Sequence, residues 1–96
     1  EGSIGSVTMG RTYFYRASKA ALNMEMKNAA NVLRARGISV AMINPGPVDT
    51  DMMAGVPKSL LRTREESVAD LIRITDRLTV GTTGIFWNYS GEQLPW

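Results

Sequence analysis

The sequence predicts an α/β fold in which two helices alternate with two strands of a short parallel sheet. Three observations carry that expectation. Residues 13–36 are dominated by good helix formers and are closed by Gly37. An unbroken apolar or small run, Ile38 to Ile43, lies between that glycine and an Asn-Pro-Gly-Pro turn. The capping box Thr63-Arg64-Glu65-Glu66 opens a second helix, which leads into the β-rich run Gly84 to Tyr89.

Taken in order, Glu1 to Thr12 carry three glycines and several hydroxyl residues without periodicity, so they read as loop, with an extended piece at Ile4 to Val7. Ser3 and Ser6 are the hydroxyls available upstream of Tyr15, and turn chemistry explains them as ordinary loop residues. The helix over 13–36, about 36 Å long at the usual rise, has two apolar stripes. Leu22, Met26, Ala29 and Leu33 form one, and Ala17, Ala20, Ala21 and Met24 the other. The first suits a sheet in the same subunit. The second suits close packing on another helix, that of a partner chain included, or both merge into one broad buried face.

The strand expected at Ile38 to Ile43 is apolar enough to be covered on both faces, and its prolines at 45 and 47 end the ladder. Gly46 lets backbone or ligand approach closely. Thr50 or Asp51 is placed to cap a short helix, and Gly55 and Pro57 make the stretch to Ser59 irregular. Helix 63–78 should bury Val68, Leu71, Ile72 and Leu78, with Arg64, Asp70, Arg73 and Arg77 among its polar positions. A turn at Val80 to Thr83 precedes the second strand, 84–89. A turn at Ser90-Gly91-Glu92 then leads to the anchors Leu94 and Trp96. A strand as apolar as 38–43 should not stand at an open edge, so the missing front of a larger domain, or another copy of the chain, is expected beside it.

Composition narrows the function classes. At 96 residues the chain makes one small domain at most, and 44% apolar with 21% charged residues is globular rather than disordered composition. No run approaches the length of a membrane span and no signal peptide pattern is present, so no membrane partner is expected, and the lack of cysteine, hence of disulfides, fits a cytoplasmic location. With neither cysteine nor histidine, no disulfide or metal site is expected. A scattered net charge of +2 offers no stripe for nucleic acid. The chain starts at Glu1 rather than methionine, and is read as processed or as part of something longer.

The chemistry centres on Tyr15-Arg16-Ala17-Ser18-Lys19. A tyrosine and a lysine four residues apart share one helix face. An ammonium beside a phenol favours the phenolate, and a phenol so tuned can act as general acid or base on a carbonyl or alcohol. Such pairs also occur on surfaces with no function, and the neighbouring motifs decide. Asn44-Pro45-Gly46-Pro47-Val48-Asp49-Thr50 follows an apolar strand and begins about thirty residues after Tyr15. Taken together, this order resembles the catalytic half of the short-chain dehydrogenase/reductases. The stretch Tyr15 to Asn23 and the ending Leu94-Pro95-Trp96 resemble their C-factor-like subgroup.

The resemblance covers nearly the whole chain and implies a partial Rossmann-like (doubly wound) fold, with residues 1–96 the C-terminal part of a single such domain. It implies NAD or NADP as cofactor and a small carbonyl or alcohol as substrate. Tyr15 would be the proton donor or acceptor. Lys19 would favour its ionised form and hydrogen-bond the nicotinamide ribose. Pro45, Gly46, Val48 and Thr50 would hold the nicotinamide carboxamide, and Met52, Met53 and the segment up to Leu61 would line the substrate pocket. Ser3, twelve residues before Tyr15, is the candidate for the family's catalytic serine, although in the C-factor-like register that serine falls just before Glu1.

The glycine-rich turn of the family's N-terminal dinucleotide-binding half is not in this sequence, nor is the residue that selects NAD or NADP, nor the family's catalytic asparagine. The 96 residues alone are therefore expected to be inactive. The alternative is a non-catalytic interaction module derived from that fold. The family resemblance also implies pairing through the long helix, so a homo-oligomer through helix 13–36 and strand 38–43 is expected.

Overall fold

A computed structural model describes Ile4 and residues 13–96. The remainder of the loop expected over 1–12, with the hydroxyls of Ser3 and Ser6, lies outside the described residues. The long helix α1 spans Tyr13–Leu33 and tightens into a 3-10 turn at Arg34–Arg36. Its end is set by Gly37, which takes φ +73° so that its N–H reaches the Arg34 carbonyl at 3.0 Å. Three strands follow: β1 at Met42–Asn44, β2 at Phe86–Asn88 and β3 at Gln93–Leu94. Between β1 and β2 come two 3-10 turns, Asp51–Met53 and Lys58–Leu60, the helix α2 at Arg64–Thr75, and a 3-10 turn at Val80–Thr82.

β1 and β2 are parallel, with Met42 opposite Phe86 and Asn44 opposite Asn88. β1 begins later than the apolar run suggests. At Val40 the partner is a side chain: its N–H donates to the Thr83 hydroxyl at 2.8 Å, while its carbonyl accepts from the Gly84 N–H at 2.8 Å. Regular backbone pairing starts only at Met42, and the ladder runs one residue past Ile43 before Pro45 ends it. The Ser90–Glu92 turn brings β3 back antiparallel to β2, so the sheet is mixed. No sequence pattern marks a two-residue strand. On the other side of β1 no strand lies among the described residues.

The core gathers Ala30 of α1, Met42 of β1, Ile74 of α2 and Phe86 of β2. Trp96 tilts against Phe86 with ring centres 5.5 Å apart, so the expected aromatic anchor lies over the sheet. On α1 the inward stripe is turned slightly from the expected one. Met26, Ala29 and Leu33 are half-buried as anticipated, but Leu22 is exposed, and Lys27 faces inward. Its ammonium donates to the Gly84 carbonyl at 2.9 Å and stands 5.3 Å from the centre of the Trp96 ring.

α2 opens as the capping box foretells, the Thr63 hydroxyl accepting from the Glu66 N–H at 3.1 Å. Its buried face is shifted by a register from the apolar reading. Ser67 and Ile74 are buried, whereas Val68 and Ile72 are exposed. The helix ends at Thr75, three residues early, because Arg77 and Leu78 close with tighter bonds to the carbonyls of Ile74 and Thr75. No helix among the described residues is long and apolar enough to cross a membrane.

Candidate functional site

Two groups of candidate residues occupy two places in this fold. The first is the head of α1. Tyr15 and Lys19 lie one turn apart, with the Lys19 ammonium 5.6 Å from the centre of the Tyr15 ring. The Ser18 hydroxyl donates back to the Tyr15 carbonyl at 2.7 Å, occupying an acceptor on the turn that carries the pair. Tyr15 is 42% exposed, so its phenol is within reach of a ligand.

The second group is the chain leaving β1. Pro45, Gly46, Val48 and Thr50 form a turn directly after the strand, and Met52 and Met53 follow in the first 3-10 turn. The Asn44 carboxamide oxygen accepts from the Gly46 N–H at 3.2 Å and starts the turn. Gly46 has φ +75° and lies close against Tyr89: a Cβ there would stand 2.7 Å from Cε1 of that ring. A larger residue does not fit without moving the ring. Thr50 precedes the 51–53 turn but makes no side-chain cap to it, and it is exposed. Met52 is exposed and Met53 half-buried.

Arg62, which no motif in the sequence marks, fixes this turn. Its main chain forms a single parallel bridge with Val48, accepting from the Asp49 N–H at 2.9 Å and donating to the Pro47 carbonyl at 2.6 Å. Its guanidinium donates to the Pro45 carbonyl at 2.7 Å, lies 3.8 Å from the centre of the Tyr89 ring, and pairs with the Asp70 carboxylate. Arg73 holds the other oxygen of Asp70 at 2.8 Å and donates to the Tyr89 carbonyl at 2.9 Å. The hydrogen bond from Arg73 keeps the Asp70 carboxyl below the usual carboxylate range, with Arg62 adding to it and partial burial opposing. Arg64 adds a bond from its Nε to the Asp49 carbonyl at 2.7 Å.

Apart from Asp70 and Arg73, three residues apart on α2, these partners are not near in sequence. Arg62 is 17 residues from Pro45, and Arg73 is 16 from Tyr89. The sequence offers only a slight signal: an arginine directly after Leu60-Leu61 and just before the Thr63 cap. Ser3 lies outside the described residues, so its candidacy gains no geometry here. Among the described residues no cluster of acidic side chains could hold a metal ion.

A family model described as short chain dehydrogenase matches residues 2–60. The chain is 39% identical over 95 residues to "C-signal" of Myxococcus xanthus, covering 99% of this chain and 55% of that protein. It is 41% identical over 96 residues to the 1-hydroxy-2-glutathionyl-2-methyl-3-butene dehydrogenase of Rhodococcus sp. (strain AD45), covering 99% of this chain and 42% of that one. The chain thus spans about half the length of the curated relatives it matches. Among solved structures, an NADPH-bound carbonyl reductase from chicken fatty liver superposes with a TM-score of 0.88 at 33% identity, over 99% of this chain and 39% of that one. The carbonyl reductase Sniffer of D. melanogaster superposes at 0.87 and 34% identity, over 99% of this chain and 37% of that one.

Proposed function

The chain belongs to the short chain dehydrogenase family, and on that premise we propose that it supplies the catalytic half of an NAD(P)-dependent oxidoreductase acting on a carbonyl or alcohol. The observation that carries this reading is the Tyr15–Lys19 pair, one turn apart with the ammonium 5.6 Å from an exposed phenol ring. Tyr15 donates a proton to the substrate oxygen during reduction and takes one back during oxidation. Lys19 holds the nicotinamide ribose beside it. When bound, the nicotinamide supplies or receives the hydride.

The turn at 45–50 suits the carboxamide of that cofactor. Its base is pinned, and the exposed Thr50 hydroxyl makes no cap to the turn it precedes. Height along the fold supports the pairing of the two groups. Lys27 meets Gly84 at the start of β2, and eight residues of helix back to Lys19 rise about 12 Å. Four residues of strand from Gly84 to Asn88, level with Asn44, advance about 13 Å. Met52, Met53 and the segment up to Leu61 line the substrate side, where soft methionines adapt to shape.

The test is NADH- or NADPH-dependent reduction of a carbonyl panel by the full-length gene product. Tyr15→Phe should lose activity by about 10²–10⁴-fold with cofactor affinity unchanged, and Lys19→Ala should weaken cofactor binding. Turnover indifferent to Tyr15→Phe overturns the assignment. The 96 residues alone, without a glycine-rich turn of their own, should show no turnover.

A second reading is a non-catalytic oligomerising module, joined through helix 13–36 and strand 38–43. Its support is the exposure of Leu22, Met24, Val32 and Ile38 together with the bare flank of β1 among the described residues. A monomeric mass in solution rules it out.

A further inference from the structure

We propose that Arg62 is a positioning residue for the cofactor: it sets the shape of the 45–50 turn that receives the nicotinamide, without touching the cofactor itself. The inference rests on the oxidoreductase reading above and adds to it a residue outside the family motifs quoted for this chain. Its argument is geometric. Four of the turn's constraints converge on this one residue. The Pro45 carbonyl, the Pro47 carbonyl and the Asp49 N–H all bond to Arg62, through its side chain or its main chain. The fourth is the Tyr89 ring, which lies against Gly46 and has the Arg62 guanidinium 3.8 Å from its centre.

Arg62 is itself immobilised. Its side chain is only 14% exposed and pairs with Asp70, which Arg73 grips from the other side. A planar fork can cap a carbonyl, pair with a carboxylate and stack on a ring at once; an ammonium can do only part of this. Small displacements of a binding turn translate into large losses of productive geometry.

The experiment uses the full-length gene product with Arg62→Met and Arg62→Lys, and reads three quantities: affinity for NADH and NADPH, the split between KM for the cofactor and kcat, and amide exchange at Gly46 and Asp49 against that in α1. Arg62→Met should weaken cofactor affinity about tenfold, on the scale of one lost charge-assisted hydrogen bond. The loss should fall on KM rather than kcat, with exchange quickened at 46 and 49 but not in α1. Arg62→Lys, which keeps the pair with Asp70, should recover part of the affinity and remains informative if Arg62→Met does not fold. A folded variant with loosened turn amides but unchanged cofactor affinity makes Arg62 merely structural and overturns the proposal. So does a variant that changes neither. Absence of cofactor binding by the unaltered protein overturns the oxidoreductase reading instead, and the proposal falls with it.

Discussion

Gly46 and Gly37 form a natural pair for separating two costs that usually arrive together. Both take a left-handed backbone, φ +75° and +73°, but a Cβ at Gly37 would meet nothing within 4 Å. At Gly46 it would fall 2.7 and 2.9 Å from two carbons of the Tyr89 ring and 3.0 Å from the Arg62 Cδ. Gly37→Ala therefore carries only the backbone term, about 1 kcal/mol. Gly46→Ala carries the same term plus the displacement of a ring held under a guanidinium. Overpacking of that kind adds about 1–3 kcal/mol, for a total of about 2–4 kcal/mol. Urea unfolding followed by the emission of Trp87 and Trp96 measures both. In a Tyr89→Ala background most of the extra cost of Gly46→Ala should go, only the 3.0 Å contact with the flexible Arg62 side chain remaining, for a coupling of about 1–3 kcal/mol. Equal costs at the two glycines, or a penalty at 46 undiminished by removal of the ring, would refute the steric account.

Two further expectations follow from single contacts. Thr83→Val keeps the shape of a side chain only 4% exposed but strips the Val40 N–H of its acceptor, which should cost about 1–3 kcal/mol by the same urea assay; Thr83→Ser should recover much of it. Asp70, whose carboxyl is held below the usual range when folded, contributes stability that is present above the ordinary carboxylate pKa and is lost as pH falls through its lower folded value. Unfolding free energy should thus decline on acidification below about pH 4, and Asp70→Asn should flatten that decline; an identical slope in the variant speaks against the Arg62–Asp70–Arg73 cluster as its source.

How much was legible in advance tracks how local each interaction is. The Tyr15–Lys19 pair, the Thr63 cap and the Asn-Pro-Gly-Pro stop are all decided within five residues, and the chain displays each of them directly. The buried face of α2 differs by one register from the apolar pattern because a small serine, Ser67, and not the valine beside it, is the buried residue. Lys27 carries no local signal for its inward seat, because the carbonyl and the indole ring that hold its ammonium lie 57 or more residues further along the chain. The start of β1 was misplaced because the Thr83 hydroxyl stands in for a ladder bond, a substitution that apolar periodicity cannot register. Arg62 was missed for the most general reason: its partners at 45, 70 and 89 are adjacent only once the chain has folded.

The bridge between Val48 and Arg62 has one more implication. It makes the chain leave and return at nearly one point, so the stretch between them is an appendage sewn on at its base. Lengthening such an appendage is cheap, about 0.6 kcal/mol for each doubling. Within it Met52 and Leu60 are both largely exposed. Descendants of this sequence could therefore swap or extend residues 51–60 wholesale while the seam at 48 and 62 stayed as it is. Variation would gather between the two ends, and the stitching would be inherited unchanged.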